Sequence, residues 1–369
     1  MLLWPIAPAG APAEPAAAPL LDAPQVEPSL AEPLDATRLD EITLVFTGDN
    51  LLGARMPRLI EQHGEKWPYG AVAGVLSGAD IAFGNLECPI TDHPTRTPGK
   101  SWESIQEGRN FIFKAPPAVS GPILSAAGFD VVSLANNHAM DYCATGLTDT
   151  LAALDDQGIS CVGGGADEQA AWQASILRRG GLSVGFIGCS MIVPAAARAG
   201  DDSPGIAAHG KSYDDRLSAA IRALDTQADI VVVTFHWGYE GHRRHSAYQQ
   251  QIARAAIDDG ADLIIGHHPH CLQGVELYNG GVIAYSLGNF LFTGKSALIE
   301  SAILEITASR DGVREVRLMP VWVRGGKPEP SDDPKLIERI REICAPCGVE
   351  LVEDGWWYEV TAESETDPS

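Results

Sequence analysis

Short apolar runs recur along this chain, and most end in a polar cluster before a longer amphipathic stretch begins. Residues 42–46 form a β-rich run that closes in Thr47-Gly48-Asp49. Residues 71–76 read as helix, and 80–83 as a short strand closing in Gly84-Asn85-Leu86-Glu87. A proline-containing connection runs from Pro89 through Pro94 and Pro98 to Gly108. Residues 118–127 read as a helix, 129–134 as the next strand and 144–157 as helix again. Further strands are expected over 159–162, 182–188, 230–235 and 263–265, with helices over 214–224 and 248–258. Near-continuous apolar strands set between helices imply a sheet covered on both faces. After residue 272 the rhythm changes to strands over 275–278, 282–287, 302–307 and 313–323. Asn279-Gly280 and Asp311-Gly312 are hairpin signals within that stretch. A last helix is expected over 333–343 and a last strand over 356–360. The pattern therefore predicts an α/β body finished by antiparallel strands.

Composition narrows the partners. The chain has 369 residues, 45% hydrophobic and 20% charged, with a net charge of −23 and a pI near 4.7. A globular core is affordable at that composition. The charge argues against nucleic acid and anionic membranes as general partners. A polyanionic substrate then needs a local cation, and a bound divalent metal supplies one. Seven cysteines, scattered and odd in number, do not read as a disulfide framework. The lone Cys344-x-x-Cys347 pair and the others read as packed thiols. Residues 1–38 read as a disordered Ala/Pro-rich leader, 39–362 as one domain and 363–369 as an acidic tail. Neither a basic signal-peptide segment nor an apolar run of about 20 residues is apparent, so a soluble protein, cytoplasmic or peripheral to the cell envelope, is expected.

The polar clusters share one chemistry. Asp49 follows the first strand, Glu87 the second and Asn137-His138 the third. His236 follows 230–235, and Gly266-His267-His268-Pro269-His270 follows 263–265. Loops at the carboxyl ends of strands are where open α/β sheets keep their ligands. Taken singly, Asp49 is equally a turn or cap residue, Glu87 a surface carboxylate and His236 a packed core histidine. Three imidazoles in four residues are harder to assign to packing. Together, carboxylate, amide oxygen and imidazole suit zinc, manganese or iron, and there are ligands enough for two ions. Paired ions clamp a phosphoryl group and activate water at neutral pH.

The motifs Gly48-Asp49-Asn50-Leu51-Leu52-Gly53-Ala54-Arg55, Gly84-Asn85-Leu86-Glu87, Ala135-Asn136-Asn137-His138 with Asp141-Tyr142, His236-Trp237-Gly238 with Glu240, Gly266 to His270 with Gln273 and Glu276, and Tyr285 to Phe290 occur in this order. Over roughly residues 42–295 the chain resembles the CapA-type poly-γ-glutamate capsule-biosynthesis proteins, within the calcineurin-like metallophosphatase superfamily. The resemblance implies a metallophosphoesterase-like four-layer α/β sandwich with mixed sheets and a two-metal centre. By motif position the resemblance implies that Asp49 would bind one metal, Glu87 would occupy the bridging position, and Asn137 and His236 would bind the second metal. The His-x-His pattern falls on His268 and His270. His267 then sits behind them, or is the ligand if the register moves by one. His138 would aid the leaving group with Asp141 orienting it, and Arg55 would bind an anionic group. The chain departs from the superfamily pattern where Leu51 stands for an expected imidazole, and where Glu87 replaces the usual bridging Asp. Cys143 stands where Gly is expected, and 241–246 lacks an expected Pro.

The implied function is metal-activated water acting on a phosphoester or amide-type centre in capsule or envelope-polymer metabolism. Its substrate would be an anionic polymer or a phosphorylated small molecule, and its partners other capsule-synthesis proteins. Two other readings remain open. One is a non-catalytic, metal-stabilised subunit of a polymer synthesis or export complex. The other is a phosphoesterase with an unrelated small substrate.

Overall fold

The computed structural model describes residues 41–98, 105, 111–294 and 298–363. The expected leader, most of the acidic tail and part of the proline-containing connection lie outside them. Strands β1 (Glu41–Asn50), β2 (Ile81–Leu86), β3 (Val131–Ser133) and β4 (Ser160–Val162) lie side by side and parallel. Helices α1 (Met56–His63), α2 (Ala73–Gly78), α3 (Pro117–Ala127) and α4 (Cys143–Asp155) fall in the connections between them. The chain then forms β5 (Gly164–Gly165), α5 (Glu168–Ala171), β6 (Ser175–Arg179), β7 (Leu182–Ser190) and β8 (Gly205–Ile206), of which β5 and β8 make a small ribbon. With α6 (Asp215–Asp225), β9 (Ile230–His236), α7 (Ala247–Asp258), β10 (Leu263–His267), β11 (Val275–Tyr278) and β12 (Gly281–Ala284) it completes a second sheet, ordered β11-β12-β10-β9-β7-β6. Then β13 (Asn289–Leu291), β14 (Leu298–Ser309), β15 (Gly312–Arg324), β16 (Lys327–Pro330), α8 (Pro334–Cys344), β17 (Val349–Asp354) and β18 (Trp357–Ala362) return to the first. That sheet runs β17-β18-β15-β14-β1-β2-β3-β4, parallel on one side of β1 and antiparallel on the other.

Strand alternation sorts the side chains into layers. Leu44 and Phe46 of β1, Phe83 of β2 and Val131 of β3 face the second sheet, where they pack with Phe186, Val232 and Ile265. Phe83 stacks on Phe186 with ring centroids 5.9 Å apart. Each such buried side chain contributes about 1.5–3 kcal/mol. The alternate residues, Val45, Ala82 and Val132, pack outward on Ile60, Leu76 and Leu124 of the first helices. Val231, Val233 and Ile264 of the second sheet pack outward on Leu217, Ile221 and Ile252. Helix, sheet, sheet, helix is the four-layer order that the family resemblance implied, and the antiparallel strands fall towards the carboxyl end, as the hydrophobic pattern predicted. No helix among the described residues is long and apolar enough to cross a membrane.

One segment ties the sheets together below the carboxyl ends of their parallel strands. Residues 285–288 leave β12 in the second sheet and enter β13, which pairs in parallel with β1 at Asp49↔Asn289. The segment passes so close that a Cβ on Gly48 would lie 1.9 Å from the Gly288 carbonyl oxygen. A Cβ on Gly266 would lie 2.0 Å from that of Tyr285. Two glycines thus admit a backbone that a side chain would exclude. The Asn279-Gly280 hairpin forms as expected, with both residues at positive φ (48° and 84°) between β11 and β12.

Several boundaries differ from expectation. β1 and β2 run on through Asn50 and Leu86, so Asp49 is a strand residue. The strand expected over 282–287 stops at Ala284, because 285–288 crosses between sheets. Helix α1 was not expected; it is short, with a Pro at its start, and only Met56 and Ile60 are buried. Edge strands β6 and β17 also escaped notice, being mostly exposed and polar. All seven cysteines are free, and burial pushes the Cys88 thiol up to about 12, leaving it unreactive.

Replacing Gly266 with Ala should lower unfolding free energy by on the order of 3 kcal/mol, the upper range for overpacking. Urea denaturation of the chelator-treated protein measures this; an unchanged midpoint would show that the crossing segment is not held so tightly.

Candidate metal centre

Five polar strand ends meet at one place. Asp49 is fully buried at the end of β1, where its main-chain N–H donates to the Gly288 carbonyl at 2.9 Å. The Asn85 amide donates to Asp49 Oδ1 at 2.8 Å. The Asn136 amide in turn donates to Asn85 Oδ1 at 3.1 Å and to the Leu86 carbonyl at 2.8 Å. A relay of amides therefore fixes the Asp49 carboxylate across three adjacent strand ends. Asn136 Oδ1 also accepts the main-chain N–H groups of His138 and Ala139, which shapes the loop presenting Asn137 and His138.

Glu87 follows β2 and is fully buried. The imidazoles nearest it are those of His270, with Nε2 at 3.7 Å, and His236, with Nε2 at 3.8 Å, both beyond hydrogen-bond range. His236 ends β9; its Nε2 lies 2.8 Å from Asn137 Oδ1 and 3.1 Å from His268 Nδ1. His267 ends β10, level with His236 in the ladder, and its Nδ1 lies 3.4 Å from Asp49 Oδ1. His270 Nδ1 lies 2.8 Å from Asn289 Oδ1 and 3.4 Å from Asp49 Oδ2. Asn289, delivered by the crossing segment, thus orients the His270 ring.

The predicted residues Asp49, Glu87, Asn137, His236, His268 and His270 are brought together. His267 is there as well, on the Asp49 side, while His268 faces His236. His138 Nδ1 lies 2.8 Å from Asp141 Oδ2, which also accepts the Phe113 main-chain N–H at 2.8 Å. The Phe113 ring packs on His138 with centroids 4.6 Å apart. Arg55 is not brought in. It is exposed at the start of α1, and its guanidinium donates to the Gly294 carbonyl at 2.8 Å. Sequence reasoning missed the Asn85–Asn136 relay, whose only signal is a recurrent Asn just after an apolar run.

The cluster is satisfied poorly by its own atoms. Asp49 Oδ2, both Glu87 oxygens, His236 Nδ1 and both His267 ring nitrogens are buried without a hydrogen-bond partner. Each orphaned polar group costs about 1–3 kcal/mol, and more when charged. Asp49, Glu87 and His270 offer ligand atoms all within 4.8 Å of one another. Hard oxygens and imidazoles without thiolate suit a divalent cation with access to substrate. The residues present therefore fit such an ion.

The charges are coupled. Burial, then the Asp49 carboxylate, raises Glu87 well above the ordinary 4.5. Burial would raise Asp49 too, but His267 and His270 outweigh it and hold Asp49 well below 3.8. Burial, then His268, holds His236 well below 6.5. Burial, then His270, lowers His268 to about 4. Burial opposes charge on His270, but Glu87 and Asp49 prevail and raise it to about 10.

A family model for the bacterial capsule synthesis protein PGA_cap matches residues 43–294. The capsule biosynthesis protein CapA of Bacillus anthracis is 30% identical over 296 residues, 79% of this chain and 70% of that one. The PGA biosynthesis protein CapA of Bacillus subtilis (strain 168) is 31% identical over 309 residues, 82% of this chain and 78% of that one. Among solved structures, the NAD nucleotidase NadN of Haemophilus influenzae aligns with a TM-score of 0.41 at 14% identity, over 82% of this chain and 62% of that one.

The contribution of His236, His268, His270 and Glu87 to the stability of metal-free protein should be greatest near pH 6.5. Below it, His236 and His268 stay neutral when folded but protonate once unfolded, so stability falls towards pH 4. Above it, the stabilisation from charged His270 is lost towards pH 10; Glu87, held protonated only when folded, adds a decline that begins at the ordinary 4.5 and offsets part of the histidine gain below pH 6.5. Guanidinium unfolding across pH, with chelator, tests this; a monotonic rise from acid to alkali would contradict it.

Proposed function

The chain belongs to the bacterial capsule synthesis protein family PGA_cap, and on that premise we propose that it is a metal-dependent hydrolase acting in the biosynthesis or processing of poly-γ-glutamate or a related envelope polymer. The observation that carries the reading is the set of buried, unpartnered carboxylate and imidazole atoms of Asp49, Glu87, His236 and His267, at four strand ends drawn from two sheets. Asp49, Glu87, Asn137, His236, His268 and His270 are the residues proposed to hold the cations. Two bound divalent ions would supply Lewis acidity and lower the pKa of water at a phosphoester or amide-type centre.

The protein's own groups supply the remainder. Asp141 engages His138 at Nδ1, so Nε2 is the atom from which a proton passes to the leaving group. Asp141 also stabilises the imidazolium form in that role, as a buried carboxylate does behind a catalytic histidine. Phe113 fixes both, through its main-chain N–H on Asp141 and its ring on His138. The net charge of −23 repels a long polyanion within a screening length, so cations in the centre would be the local attraction.

A second reading keeps the ions and removes the chemistry: a metal-stabilised subunit of a polymer synthesis or export complex. Leu51, buried and apolar where an imidazole is expected, favours it. Turnover separates the two. With Mn²⁺ or Zn²⁺ added, γ-glutamyl peptides and phosphoesters should include a hydrolysed substrate, and an Asp49→Ala, His270→Ala variant should lose at least about 10²-fold in rate while keeping its far-ultraviolet circular dichroism. No metal-dependent turnover on either substrate class would leave the structural role.

A further inference from the structure

Glu240 lies outside the ligands drawn from the strand ends, in the loop four residues beyond His236. Gly238 and Gly241 on either side of it have φ of 87° and 73°, which glycine adopts without cost. The turn they make is anchored twice. The Gly238 N–H donates to Tyr248 Oη at 2.6 Å, and the Gly241 N–H donates to the Pro269 carbonyl at 2.8 Å. The second bond laces this turn to the residue between His268 and His270. Those two histidines themselves stand at positive φ, 97° and 55°, where a side chain is strained. Each loop thus adopts an uncommon backbone, and the two meet.

The result is a second triad. A Glu240 carboxylate oxygen and a ring nitrogen from each of His268 and His270 lie within 4.8 Å of one another. His270 therefore belongs both to this triad and to that of Asp49 and Glu87. Ligand bonds of about 2.0–2.2 Å allow ligand atoms up to roughly 4.4 Å apart around one ion, so a small inward swing of Glu240 completes the set. Such a swing is open to it because its side chain is exposed, whereas Asp49 and Glu87 are fully buried.

We infer that Glu240 is a ligand of the metal position beside His268, bound from the solvent side and displaced when an anionic group of the substrate enters. The inference rests on the metal-centre reading above and adds to it a residue and a consequence. A buried carboxylate is fixed by the cost of returning its charge to a dry site, whereas an exposed one exchanges readily with water. Glu240 therefore both slows metal loss and competes with incoming anions. A substrate with its own carboxylate or phosphate must replace it, and small free anions are held off.

The test uses the full chain loaded with Mn²⁺ and two readouts that need no substrate: release of Mn²⁺ to excess chelator, and affinity for inorganic phosphate by calorimetry. In Glu240→Gln, release should be at least about tenfold faster, the loss typical when a metal's ligand shell is weakened, and phosphate should bind more tightly than to the wild type. Glu240→Asp, which keeps the charge on a shorter arm, should fall between them. Glu61→Gln, an exposed carboxylate on α1, should match the wild type in both. Release and phosphate affinity in Glu240→Gln equal to the wild type would overturn the inference while leaving the centre in place. A wild-type protein that binds no Mn²⁺, Zn²⁺ or Fe²⁺ would overturn the metal-centre reading itself.

Discussion

The structure turns on the burial of two carboxylates, Asp49 and Glu87, among imidazoles that do not hydrogen-bond to all of their oxygens. An unpaired carboxylate in a dry interior costs several kcal/mol. The net stability of a whole domain is only about 5–15 kcal/mol. A counter-charge bound among these groups would offset that cost. Much of the surrounding architecture is explained by the need to hold these groups in place.

Holding them takes both sheets. Asp49, Glu87 and Asn137 come from the parallel half of the first sheet, and His236 and His267 from the parallel half of the second. Their carboxyl ends meet because residues 285–288 cross from one sheet to the other against Gly48 and Gly266, then deliver Asn289 beneath His270. Local backbone follows the same logic. His268 and His270 stand at positive φ, and so does Cys143 (φ 61°) in the turn that leads from Asp141 into α4. Strain of this kind persists only where surrounding contacts over-determine it. Where Leu51 withdraws an imidazole from the Asp49 side, His267 stands 3.4 Å from Asp49 Oδ1, an imidazole on the same carboxylate from the other sheet.

The sequence made the strand ends legible because a buried parallel strand is an uninterrupted apolar run, and any polar residue that closes it is conspicuous. Asp49, Glu87, Asn137, His236 and the His267–His270 cluster were found in that way, and all of them meet in space. Arg55 fell in the same motif as Asp49 but lies at the N-cap of α1, where its guanidinium reaches Gly294; proximity in sequence did not become proximity in the fold. The choice between His267 and His268 was not legible, since it depends on a left-handed backbone at His268 that no periodicity announces. Glu240 was invisible as a ligand for a similar reason: it sits in a glycine-flanked turn, and only the bond from Gly241 to Pro269 brings it to the imidazoles. Edge elements such as β6 and β17 carry too little buried surface to leave a pattern.

The central claim is that buried, unpartnered atoms of Asp49, Glu87, His236 and His267 mark a place for divalent cations. Anomalous X-ray scattering at the manganese edge, from crystals grown with Mn²⁺, tests it most directly. The account predicts anomalous density enclosed by Asp49, Glu87 and the histidines of the two sheets. A well-ordered map with no anomalous density among those residues, at saturating Mn²⁺ and again at saturating Zn²⁺, would contradict it.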